Sequence, residues 1–126
     1  MTAQPTRPAA VAQLDAQALA RLRELDPDGR HGVVVRVMNT FESSSLRLLG
    51  ELKQARDRDD TVAIGGIAHT LKSSSASVGA LALSARCAEV EHAVRDGQIA
   101  DLATQVENLL AEGEQALVAV RAMLRS

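Results

Sequence analysis

Apolar residues recur along this chain at intervals of three and four, the spacing that gathers them on one side of an α-helix. In the first such stretch Ala18, Leu22 and Leu25 follow at helical spacing with Leu19 beside them. Leu14 and Asp15 ahead of them have the character of a staple residue and an N-cap. "DPDG", from Asp26 to Gly29, is a turn signal. A long second segment runs from about His31 to about Arg58, with Val34, Val37, Met38, Phe41, Ser45, Leu48, Leu52 and Ala55 on one stripe. Asp60 then offers an N-cap for a third segment from about Thr61 to Val78, with Gly79 placed as its C′ residue. The fourth runs from about Ala80 to Arg95 on a stripe of Leu83, Cys87, Val90 and Val94, and Asp96-Gly97 ends it. The fifth runs from about Ile99 to Leu124; Ile99, Leu102, Val106, Leu109, Leu110, Leu117, Val120 and Leu124 keep the spacing, with a lapse at Gly113. No stretch alternates in the manner of a β-strand.

Short turns between long helices favour antiparallel neighbours. The pattern therefore predicts an all-α fold: an antiparallel up-down-up-down four-helix bundle, with the short additional N-terminal helix lying across one end. Residues 1–12, which hold Pro5 and Pro8 among small and polar residues, read as a flexible leader or linker, and residues 13–126 as the bundle.

Composition narrows the picture. A length of 126 residues suits one domain, and the only aromatic residue is Phe41, so the core must be aliphatic. The net charge is -2 with both signs interspersed, and no basic stripe or aromatic platform points to nucleic acid. One cysteine, Cys87, excludes an internal disulfide and suits a reducing compartment. No apolar run approaches the roughly 20 residues of a membrane span, and residues 1–10 lack the hydrophobic centre of a signal peptide. A cytoplasmic location with no membrane insertion is expected.

The candidate chemistry lies in the third segment, "AHTLKSSSASVGA" from Ala68 to Ala80. At about 100° per residue, Ile64, Ile67, Ala68, Leu71, Ser75 and Val78 gather on the core side, and His69 falls almost opposite. Its neighbours three and four positions away are Gly65, Gly66, Lys72 and Ser73, with Ala76 beyond. Adjacent glycines inside a helix cost about 1 kcal/mol each relative to alanine, so they need a reason. Three remain open: close helix packing, a helix that begins only after Gly66, or a surface kept bare so that another protein can reach the imidazole. Lys72, a cation one turn on, disfavours a second positive charge on the ring and so keeps a nitrogen lone pair available for attack. It also puts positive charge where a phosphoryl group on that ring would sit.

"AHTLKSSSASVGA", followed by Cys87 and Glu91, resembles the histidine-containing phosphotransfer (HPt) domain of phosphorelays, whose pattern runs His-x-Leu-Lys-Gly-Ser/Ala-x-x-x-x-Gly with a later Cys and Leu-Glu. The resemblance covers about Leu14 to Leu124, and its sharp motif residues 68–91. It implies that His69 accepts a phosphoryl group from a receiver-domain aspartate and passes it to another receiver. It implies a supporting role for Lys72, a turn at Gly79, and a place near the site for Glu91 on the next helix. Ser73 stands where the family commonly has glycine; it is small, and its hydroxyl could donate to a phosphoryl oxygen. The expected partners are response-regulator receivers or a hybrid histidine kinase. Mg²⁺ is expected on the receiver, and this chain needs no cofactor of its own. It would be a carrier rather than an enzyme.

Val35, Leu46 and Leu49 are apolar but lie off the second stripe, and Leu46 and Leu49 fall at about the height of His69. They are candidate partner contacts unless the first helix covers them. His31 and His92 read as surface or half-buried residues, and Cys87 as a small core residue. Glu89-x-x-His92 has a di-iron spacing but no second copy, so no metal site is expected. The rival reading is an adaptor that binds a receiver, or its own copy, without carrying phosphate; the pair His69 and Lys72 argues for the carrier.

Overall fold

The computed structural model describes residues 14–125. The leader expected at residues 1–12 lies outside them. Five helices follow in order: α1 (Ala16–Glu24), α2 (Val33–Asp57), α3 (Thr61–Ser77), α4 (Leu81–Arg95) and α5 (Leu102–Arg125). No strand occurs among the described residues. Helices α2 to α5 pack each against the next, and α5 closes on α2. This is the antiparallel four-helix bundle that the apolar spacing predicts.

The core is aliphatic apart from Phe41. Met38, Leu52, Leu71, Leu83, Val90, Val106 and Leu109 are completely or almost completely shielded from water. At the two ends of the α2–α5 seam, Arg56 pairs with Glu107 at 2.5 Å and Arg121 with Glu42 at 2.6 Å. Between those pairs Gly113 is buried, and a Cβ there would stand 2.8 Å from Leu49 Cδ1. The lapse in the α5 pattern is thus the socket for Leu49. Leu49 is buried by α5, which corrects its reading as an exposed partner contact. Leu46 is 49% exposed. It lines a groove between α2 and α5 with Leu110, Leu117 and Val118, so it faces away from α3.

Helix α1 lies across the end of the bundle where α2 and α4 begin and α3 ends. Asp15 caps it by accepting from Ala18 N at 3.0 Å. The Asp15 N–H donates to the Gly79 carbonyl at 2.8 Å, and Ala18 is buried. Leu25, expected on the α1 stripe, is exposed, because the chain has already turned toward α2. That turn is organised by Asp26, whose carboxylate accepts from the backbone N–H of His31 at 3.0 Å and of Val33 at 3.2 Å. Burial would raise the Asp26 pKa; the hydrogen bonds from Val33 and His31 outweigh it and hold the group below its ordinary value. Helix α2 consequently starts at Val33, two residues later than the sequence suggests. Ile99 likewise stays outside α5, exposed in the turn before Leu102.

Candidate functional site

Helix α3 is capped by Asp60, whose side chain accepts from Ala63 N at 3.1 Å. It ends at Ser77 with Val78 as C-cap, and Gly79 follows with a φ of +83° that suits a residue without a side chain. Ile64, Ala68, Leu71 and Ser75 face the core. His69 therefore points outward from the middle of a continuous helix, with a side chain 67% exposed.

Across the seam, α4 supplies the residue that organises the site. Glu91 has a side chain only 19% exposed, and its two oxygens serve different partners. Oε2 lies 2.5 Å from His69 Nδ1, and Oε1 lies 2.5 Å from Lys72 Nζ. The Glu91 carboxyl is held below its ordinary value first by the Lys72 hydrogen bond and then by that to His69, against the burial that would raise it. It is therefore a carboxylate, which can only accept. Nδ1 of His69 is then the donor in that hydrogen bond, and in the neutral ring Nε2 holds the lone pair.

Lys72 is the cation beside the ring, and it is paired. Its charge is met by Glu91, the same carboxylate that meets the ring. The seam carries one further link, from Ser84 Oγ of α4 to the Lys72 carbonyl at 3.0 Å. Nothing in the residue spacing signals that link.

The two glycines separate. A Cβ on Gly65 would meet Val94 Cγ1 at 3.0 Å, so Gly65 serves the α3–α4 packing and is not part of a bare docking surface. A Cβ on Gly66 would meet nothing within 4 Å, and Gly66 is exposed. Ser73 and Ala76 are exposed on the following turns. Ser73 takes no part in the His69–Glu91–Lys72 group among the described residues; its carbonyl accepts from Ser77 Oγ at 3.1 Å. Leu46 and Leu49 are not brought to this site. A groove between α2 and α3 is, lined by Leu48, Ala55, Ala63, Gly66, Ile67 and Thr70, with Glu51, Gln54 and Arg58 on its rim.

The other candidates stand apart. His92 is exposed against Arg95 and Asp96. Cys87 is fully buried; burial pushes its thiol up to about 12, opposed by the Lys72 charge and assisted by Glu91. Among the described residues no group of three or more His, Cys, Asp or Glu side chains could hold a metal ion. No described helix is long and apolar enough to cross a membrane.

An outward histidine in mid-helix, with one ring nitrogen fixed by a carboxylate, is an arrangement for a nucleophile. The Hpt domain family matches residues 36–125, a span that contains the whole of this group. The chain belongs to the Hpt domain family. This Hpt domain is also similar to the crystal structure of histidine-containing phosphotransfer protein B (HptB) from Pseudomonas aeruginosa PAO1. The likeness has 26% identity and a TM-score of 0.78, over 90% of this chain and 95% of that one. No curated protein matches the sequence. Histidine phosphotransfer in a phosphorelay is the role that the family and this likeness support.

Proposed function

We propose that this Hpt domain is a phosphorelay intermediate: His69 accepts a phosphoryl group from a receiver-domain aspartate and delivers it to another receiver. The observation that carries the reading is the exposed His69 ring whose Nδ1 is engaged by Glu91. In the accepting step the Nε2 lone pair attacks phosphorus. The bond from phosphorus to the aspartyl oxygen breaks, and the aspartate leaves with that electron pair as a carboxylate. The receiver brings Mg²⁺ for the phosphoryl charge. This chain supplies the nucleophile, a nearby ammonium at Lys72 and a surface to dock on, and acts as a carrier with no catalysis of its own. Ser73 is a further donor toward the phosphoryl oxygens.

The docking surface is the exposed face of α3 around Gly66, Ser73 and Ala76, continued into the α2–α3 groove. That groove is lined by Gly66 and Thr70, which flank His69 on α3, together with Leu48, Ala55, Ala63 and Ile67. The partners are response-regulator receivers, free or joined to a hybrid kinase, which fits a cytoplasmic setting.

The test is incubation with a phosphorylated receiver and Mg²⁺. Label that is acid-labile, base-stable and absent from His69→Gln supports the carrier. Tight receiver binding with no label on wild type would instead make this an adaptor.

A further inference from the structure

The face formed by α2 and α5 lies on the opposite side of the bundle from the α3–α4 seam that holds His69, because α2 and α4 each pack between α3 and α5. Leu46 and Val118 are apolar yet 49% and 47% exposed, and both border the groove between α2 and α5. Gly50 borders it too, well inside the 25-residue α2, and a Cβ there would meet nothing within 4 Å. A glycine in a helix interior weakens the helix. Gly65 and Gly113 are explained by side chains of a neighbouring helix that occupy their space, and Gly50 is not. Lys53 of α2 and Glu114 of α5 are exposed on the same groove, and neither forms an ion pair among the described residues.

The register between the two helices decides what fits there. Glu42 pairs with Arg121, Leu49 fills the space beside Gly113, and Arg56 pairs with Glu107. Leu46 therefore stands level with Leu117 and Val118, Gly50 with Gly113, and Lys53 one helical turn from Glu114. A two-fold axis parallel to the helices lays α2 of one copy on α5 of another at the same height, running antiparallel. Leu46 then meets Val118 of the second copy, Lys53 reaches Glu114 of the second copy, and the missing side chain at Gly50 lets the two backbones approach. The axis makes each contact twice. Arg121, the other cation on the groove, is already met by Glu42, so the joined faces carry balanced charge.

We propose that the α2–α5 face is the interface of a homodimer, with Leu46 and Val118 as its apolar contact, Lys53 and Glu114 as its charge pair, and both His69 rings turned outward. A foreign helix could use the apolar contact and the glycine. The unmatched cation and anion, set where a two-fold axis brings them together, favour a second copy.

Sedimentation equilibrium of the full chain, at concentrations up to about 1 mM, is expected to show a reversible dimer. Lys53→Glu sets like charges against each other at two places and should raise the dissociation constant at least about tenfold. Adding Glu114→Lys to it should bring the constant back to within about threefold of wild type. Gly50→Leu should abolish the dimer while making the monomer harder to unfold, two opposite effects that simple damage to the fold would not produce. Circular dichroism checks that each variant is folded. Loss in the single variants with recovery in the charge swap supports the inference. A wild type that stays monomeric throughout overturns it and leaves the face to a different protein. A dimer indifferent to these substitutions, or a swap that fails to restore association, overturns it as well, because the copies then meet elsewhere or in another register.

Discussion

The backbone N–H of Asp15 donates to the carbonyl of Gly79 at 2.8 Å, so the entry to α1 is tied to the turn between α3 and α4. The contact is possible because Gly79 has no side chain. A Cβ there would stand 2.7 Å from Asp15 N and 3.2 Å from the Ala18 methyl, on a backbone with φ of +83°. Gly79→Ala is therefore expected to destabilise by about 2–4 kcal/mol, from left-handed strain together with a steric conflict that backbone movement must relieve. Chemical denaturation measures it. A loss below about 0.5 kcal/mol would mean that α1 is not held at this turn.

Gly66 makes the opposite case. Its surroundings are open, so Gly66→Ala should stabilise α3 by up to about 1 kcal/mol through helix propensity. The same methyl projects from the proposed docking face. The variant should thus be harder to unfold yet slower to accept phosphoryl from a receiver. A stable variant with unchanged transfer rate would remove Gly66 from the docking surface.

Among the described residues, two core hydroxyls have no hydrogen-bond partner: Ser45 Oγ on α2 and Ser75 Oγ on α3, both in side chains shielded from water. An orphaned polar group in such a place costs about 1–3 kcal/mol. Ser45→Ala and Ser75→Ala remove that cost with a small change in volume, and each is expected to be neutral or to raise stability by about 1 kcal/mol. Thermal unfolding of the two variants decides it; a clear loss in either would mean that the hydroxyl is satisfied by buried water.

Acid should loosen the domain through two identifiable carboxylates. Glu91 lies below its ordinary value of 4.5 because of Lys72 and then His69, and Asp26 lies below 3.8 because backbone hydrogen bonds outweigh burial. A depressed folded-state pKa contributes stability that is present above the unfolded value and lost as pH falls through the folded one. Wild type should hold this contribution above about pH 4.5 and lose it progressively below. Unfolding at a series of pH values should show wild type and Glu91→Gln converging in that acid range and differing above it. Parallel curves at all pH values would contradict the linkage.

Most of the architecture was legible in the apolar spacing because each long helix shows the core one clear stripe. The failures share a cause: a helix in a closed bundle touches two neighbours, and a single stripe describes only one. Leu49 read as surplus and Gly113 as a gap, yet they fill one another across α2 and α5. Gly65 read as half of a bare pair because Val94, which occupies its missing side chain's space, lies on another helix. The start of α2 was misplaced for a similar reason. Asp26 caps it from seven residues before Val33, beyond the reach of rules for a cap adjacent to its helix. His69 itself was legible, since its outward direction follows from its own helix. The sharing of Glu91 between His69 and Lys72 was not, because it depends on the register between α3 and α4.

His69 sits at the ninth position of a 17-residue helix, with no loop on either side of it in sequence. Among the described residues the ring stands open, its side chain 67% exposed. Under the proposed carrier role, a phosphoryl group on that ring is not covered by any of the described residues. Under that role, the shelter that the described residues do not give during handover falls to the visiting surface.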